Sequence, residues 1–406
     1  MQTVDCAPAR SGFRGQQAAR RAATERPYEG GPRIRCPSQQ PFKAAEAGHQ
    51  RASRRDAMHP VNRAVPYAER CHRTPSGTAV IWPFLNAEIG PGPYELFLDI
   101  NALNQGDWFS QLSDEIRDQC VVNPWPALLE QWVSNAEFRK SPQIEIKKKI
   151  EPLLRVGVRF RENFVEDQER LLVKNDRALR TQFSLVVPYV AIMKSLLSPK
   201  LEADEALQKL EDFARRDIPR YTASLMLGAL TALLKEQQSL RLADDPKPAF
   251  SYLRSFLDFQ PGKKDEVDHI NVPYLRNRAG DLNLWMGLPL LWHSGYQFVG
   301  NPAIVTNDKA LHRVIVRAIP PVLQETRSTS FSLSQDLPSP LPDRIIAMIK
   351  QVQPRTSPSP AEQLTRMTNL FELAKSCCAD AREQAALDEV YREWWRPGFG
   401  EPLDLS

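Results

Sequence analysis

Two stretches of the chain share one pattern of apolar and polar positions. Tyr94-Glu-Leu-Phe-Leu-Asp99-Ile-Asn101-Ala-Leu103 and Pro302-Ala-Ile-Val-Thr306-Asn307-Asp308 each run a short apolar segment into an aspartate. Such runs predict strands buried on both faces, as in a parallel sheet with helices above and below. Asp99 then falls at the carboxyl end of its strand, which is where ligands bind in open α/β sheets. A second reading stands beside that one, because aspartate also caps the helix that follows a strand.

Between the two strands the pattern turns helical. Val121-Val-Asn-Pro-Trp-Pro-Ala-Leu-Leu-Glu130-Gln-Trp-Val reads as a short apolar entry, a proline-punctuated turn and a helix carrying Glu130. From about residue 143 to 259 apolar residues recur at helical spacing, with Ile150, Leu153, Leu154, Val158, Phe160, Phe164 and Leu171 forming the predicted buried stripe. Four or five helices are expected there, one from near Leu201 to Arg216 and the next from Tyr221 to Leu240, punctuated by Pro199 and Pro219. The most hydrophobic stretch, Phe183 to Met193, is 11 residues long, too short to span a bilayer, and reads as one buried helix. Asp281 is expected to open an apolar helix that ends near Gly295. Past Asp308 come a short helix, a Ser/Pro-rich connector from about Ser328 to Pro342, a second connector from Gln353 to Pro360, and two or three helices ending near Trp395.

Composition adds that 406 residues, 42% hydrophobic and 25% charged, suffice for a soluble globular protein with two domains. The net charge of +4 is uneven: residues 1–75 hold 14 Lys/Arg against 6 Asp/Glu, which leaves the remainder at −4. This segment is poor in large aliphatics and is expected to be disordered. Its arginines fit an electrostatic arm for nucleic acid, a transit peptide, or sequence upstream of a start at Met58. Deleting residues 1–75 is expected to leave the fold intact. Cysteines 6, 36, 71, 120, 377 and 378 form no CxxC pair, so metal-ligand spacing is missing and a reducing, cytoplasmic compartment is the simplest reading. Cys377 and Cys378 read as packing residues. His269, His293 and His312 are near the aspartates in sequence but carry no ligand pattern. The chain has no GxxxxGK[ST], GxGxxG, GxSxG or HExxH motif, which removes the common nucleotide, hydrolase and zinc-protease readings.

The order strand-Asp99, helix-Glu130, helix-Asp281, strand-Thr306-Asn307-Asp308 resembles the PIN-domain nucleases. Their compact α/β fold gathers three or four carboxylates from element ends to hold divalent metal. The spacings are 31, 151 and 27 residues; the first and last suit the family, and the middle one requires a large insertion. The resemblance implies an α/β core with a short parallel sheet over residues 76–142 and 260–325, an all-α insertion over 143–259 and a helical region over 326–406. It implies Asp99 as central ligand of Mg²⁺ or Mn²⁺, with Asp281 and Asp308 completing the coordination. Glu130 would bind directly or through water, and Asn101, Thr306 and Asn307 would orient the acids. The implied activity is phosphodiester hydrolysis, most naturally of RNA. The alternative is an inactive PIN-like module that binds RNA or a protein. No membrane partner is implied, and a protein inhibitor or homo-oligomer is left open. The insertion is expected either to pack on the core or to form a separate lid beside the acids, with Arg155, Arg159 and Arg161 or Arg215, Arg216 and Arg220 meeting phosphates.

Overall fold

The computed structural model describes residues 71–82, 92–235, 252–260, 267–293, 296–313, 321–323, 329–331, 337, 339–352 and 359–396. Most of the amino-terminal segment, including Cys6, Cys36 and Met58, lies outside the described residues, so the reading of disorder there is untouched up to residue 70.

The described chain begins with β1 (Cys71–Arg73) and β2 (Ala79–Ile81), a hairpin closed by Thr74–Thr78. Gly77 sits at φ +91°, a conformation open to glycine, and its N–H reaches the Thr74 carbonyl at 2.8 Å. Residues 71–75, expected to be disordered, instead form an edge strand and a tight turn paired with the sheet, so a deletion through residue 75 removes an edge strand. β3 (Tyr94–Leu98) follows, then α1 (Ile100–Asn104), α2 (Asp107–Ser110), α3 (Asp114–Gln119) and β4 (Cys120–Asn123). α4 (Trp125–Ser134) carries Glu130 as expected, and α5 (Ala136–Lys140) is capped by Asn135.

The region expected to hold four or five helices has seven among its described residues: α6 (Pro142–Arg155), α7 (Phe164–Lys174), α8 (Asp176–Ser184), α9 (Val187–Leu196), α10 (Ala203–Arg215), α11 (Thr222–Leu234) and α12 (Tyr252–Leu257). The extra breaks have local causes. Gly157 at φ +82° and Asn163 at φ +53° end one helix and begin the next. Pro188 belongs to the first turn of α9, which divides the stretch Phe183–Met193 between two helices. Of the predicted stripe, Ile150, Leu153, Val158 and Phe164 are buried, whereas Leu154 is 53% and Leu171 37% exposed; Leu172 is buried instead.

α13 (Val272–His293) starts about two and a half turns earlier than expected, because Asn271 caps it, its Oδ1 accepting the Tyr274 N–H at 2.8 Å. Asp281 thus lies inside this helix and does not open it. Gly280 is accommodated within the helix. β5 (Asn301–Thr306) leads into α14 (Lys309–Leu311), and β6 (Pro321–Leu323) pairs antiparallel with β7 (Thr329–Phe331), a strand inside the expected connector. α15 (Leu341–Gln351), α16 (Pro360–Lys375) and α17 (Ala381–Val390) follow, and a π-helical turn, Tyr391–Trp395, ends the described chain near Trp395 as expected.

The five-stranded sheet has the order β1-β2-β5-β3-β4. β3 pairs parallel with both β5 and β4, but β2 runs antiparallel to β5, so the sheet is mixed where a wholly parallel one was expected. The cause is the hairpin, which can only deliver antiparallel strands. Alternation along β3 puts Tyr94, Leu96 and Leu98 on a face that packs with Val80, Trp82, Leu103, Trp108, Leu153 and Val158. Glu95, Phe97 and Asp99 share the other face, where Phe97 meets Phe298 edge-on at 5.7 Å.

Among the described residues the insertion packs against the core. Leu153 and Val158 complete the core on one sheet face, and the Arg159 carbonyl accepts the Val122 N–H at 2.9 Å beyond the edge of β4. α8 packs on α4, and α9 packs on α11, α13 and α16. Among the described residues no helix is long and apolar enough to cross a membrane.

Candidate carboxylate site

The adjacent parallel strands β3 and β5 end side by side, and each hands its chain to a short helix. Asp99 closes the first strand, its N–H bonded to the Val305 carbonyl at 3.0 Å. Its Oδ1 accepts the Ala102 N–H at 2.5 Å, capping α1, and its Oδ2 accepts the Thr306 hydroxyl. The same Thr306 oxygen accepts the Asp308 N–H at 2.9 Å, so one hydroxyl links the two acids. Asp308 caps α14 through its Oδ1, which accepts the Leu311 N–H at 2.8 Å. Beside them Asn307 accepts the Thr78 hydroxyl and donates to Gln105 Oε1 at 2.9 Å. The strand ends are therefore tied by side chains from β5, α1 and the β1–β2 turn.

Two helices bring further acids. Glu130 is buried on α4, with its Oε1 3.8 Å from Arg276 Nε on α13. A Cβ on Gly280 would lie 2.6 Å from Glu130 Oε2, so the bare α13 backbone at that position is what the carboxylate rests against. The next residue is Asp281, half-buried.

Electrostatics joins the four acids. Burial pushes Asp99 up to about 6, with repulsion from Asp308 opposing the pull of the Thr306 hydroxyl and the Ala102 and Asn307 N–H groups. Burial likewise pushes Glu130 up to about 7; Arg276 and Lys149 pull it down and Asp99 pushes it up. Asp281 is held well above the usual carboxylate range by desolvation and by Asp308, against Arg278, with Asp99 and Glu130 adding repulsion. Arg278 is itself buried, over the Tyr274 ring at 5.2 Å. The acid set offers only oxygen donors, which suits a hard divalent ion. Among the described residues, no three His, Cys, Asp or Glu side chains are already arranged around one point to hold such an ion.

A second buried acid on the same face of β3 stands in contrast. Glu95 is fully buried, yet its Oε1 accepts Tyr296 Oη at 2.5 Å and Asn123 Nδ2 at 2.9 Å, and its Oε2 accepts Arg161 Nη2 at 2.9 Å and the Val299 N–H at 3.0 Å. Arg161 also stacks over Tyr296 at 4.7 Å and donates to the Gln297 carbonyl at 2.6 Å.

The structure thus gathers Asp99, Thr306, Asn307 and Asp308 at two strand ends and places Asp281 and Glu130 within electrostatic reach of them. Asn101 is exposed on α1, and its carbonyl accepts the Gln105 N–H. The arginines expected at phosphates have other partners: Arg155 pairs with Glu151, Arg159 with the Arg117 and Asp118 carbonyls, and Arg161 with Glu95. Arg215 pairs with Glu211 and Asp212, Arg220 bonds the Ala214 carbonyl at 2.5 Å, and Arg216 lies over Phe213. His312 is buried with its Nε2 2.7 Å from Arg313 Nη1, and His269 lies beside Asp268. Sequence reasoning missed Glu95, Gly280, Arg276, Lys149, Thr78 and Gln105; of these only Gly280, a mid-helix glycine directly before an acid, had a local signal. Comparison of the chain with protein-family models, with curated proteins and with solved structures gives no match.

Proposed function

We propose that the protein is a metal-dependent phosphodiesterase of PIN-like type that cleaves nucleic acid, RNA before DNA, in the cytoplasm. The observation that supports this reading is geometric: Asp99 and Asp308 end the adjacent parallel strands β3 and β5 and share the Thr306 hydroxyl, with Glu130 and Asp281, both raised chiefly by burial, within electrostatic reach. Asp99, Asp281 and Asp308 would hold the ion and Glu130 would bind it directly or through water. Mg²⁺ or Mn²⁺, when bound, supplies charge stabilisation at the scissile phosphate and a hydroxide-like nucleophile. Thr306 fixes the orientation of Asp99, and Asn307 holds the two strand ends in register. Arg276 and Lys149, the cations beside Glu130, contact the substrate phosphates. A second reading, a PIN-like module that binds RNA or a protein without cleaving, is favoured by one observation: Asp99 and Asp308 both spend a carboxylate oxygen on a helix cap.

Labelled RNA and DNA incubated with wild type and Asp99→Asn in Mn²⁺, Mg²⁺ or EDTA separate the two. Cleavage by wild type alone, lost in EDTA, is the expected result. RNA retained by both proteins and cut by neither supports the second reading, and neither binding nor cleavage ends both nucleic-acid readings.

A further inference from the structure

A glycine in the interior of a 22-residue helix is costly, because it has more freedom to lose on folding than alanine. Gly280 is such a residue, and the backbone it leaves bare is occupied by another side chain. An added Cβ would meet Glu130 Oε2 at 2.6 Å, Cδ at 3.1 Å and Cγ at 3.5 Å, so the whole end of the glutamate lies along it. Arg276 is one turn earlier on the same helix, its Nε 3.8 Å from the other carboxylate oxygen, and Asp281 is the next residue in the chain. We propose that Gly280 is a positioning residue: its missing side chain makes the slot that seats the Glu130 carboxylate between Arg276 and Asp281. This rests on the nuclease reading for the use made of Glu130, but not for the seat.

The atom that collides is the far end of a flexible side chain. Gly280→Ala therefore displaces Glu130 without breaking α13, and helix propensity favours the alanine. In EDTA, Gly280→Ala should raise the melting temperature more in a Glu130→Ala background than in the wild type, since only the latter keeps a side chain to displace; independent sites would give equal shifts. Gly280→Ala should also cut cleavage at least tenfold and shrink the upward Mn²⁺ shift in melting temperature. Glu130→Asp, whose shorter side chain clears the new Cβ, should restore part of both in the Gly280→Ala protein. Equal shifts in the EDTA cycle overturn the seat. A Gly280→Ala protein that cleaves like wild type overturns the positioning role, while a wild type that cleaves nothing counts against the nuclease reading and leaves the EDTA cycle to decide the seat.

Discussion

β3 carries two buried carboxylates on one face, four residues apart, in opposite circumstances. Glu95 is surrounded by donors and a cation: Arg161, Asn123, Tyr296 and the Val299 N–H use both of its oxygens. Asp99 also has donors, but the charges that face it are acids, Asp308 among them, and burial holds its proton until about pH 6. A carboxylate whose countercharge is built in is structural, and removing it strands its partners. One whose charged neighbours repel it is stable only when protonated or when a cation arrives from outside. The same strand thus begins at a carboxylate with its countercharge built in and ends at one that burial raises to about 6.

Substitutions at the two positions should therefore move stability in opposite directions. The largest effect is expected at Glu95, where Glu95→Ala leaves a buried polar network without its acceptor and costs about 4 kcal/mol in urea unfolding; a loss under about 1 kcal/mol would erase the contrast. Asp99→Asn should instead stabilise the metal-free protein at pH 8 by up to about 3 kcal/mol, because the amide keeps the cap and sheds the buried charge. The sign follows from linkage. Folded Asp99 keeps its proton to about pH 6, against 3.8 ordinarily, so the folded state binds more protons in that window and stability falls as pH rises through it. Glu130 extends the fall to about pH 7. Melting curves in EDTA from pH 4 to 8 should decline for wild type and flatten in Asp99→Asn; a wild type more stable at pH 8 than at pH 5 would show that other groups govern the site. The smallest effect is expected for Asp308→Asn, under about 1 kcal/mol of stabilisation, since this half-buried acid is replaced by an equally good cap. Its loss should still abolish the upward melting shift with Mn²⁺, and a lowered melting temperature in EDTA would leave Asp308 as a cap alone.

How much of this could be read in advance depended on range. Asp99 and Asp308 were legible because each ends a local apolar run, and Glu130 because a proline turn announces its helix. Asp281 was placed in the right helix and at the wrong depth, since the Asn271 cap that starts the helix lies ten residues upstream, ahead of the polar residues 276–278. Glu95 was invisible: its partners come from 66 and 201 residues away, and no pattern within β3 reveals that a charge in an apolar strand will be met. The strand Cys71–Arg73 was missed for the same reason, being three residues long and stabilised mainly by pairing.

The pairing of β3 with β5 also sets a schedule for synthesis. Thr306, which orients Asp99, is 207 residues further along the chain. At about 5–20 residues per second, a ribosome takes on the order of 10–40 s to travel that distance. Until then β3 lacks its neighbour on one side, Asp99 lacks Thr306 and Asp308, and Glu130 has no α13 to rest against. The carboxylate cluster is thus assembled only in the last quarter of translation, and the unpaired β3 is the stretch that chaperones should be found holding.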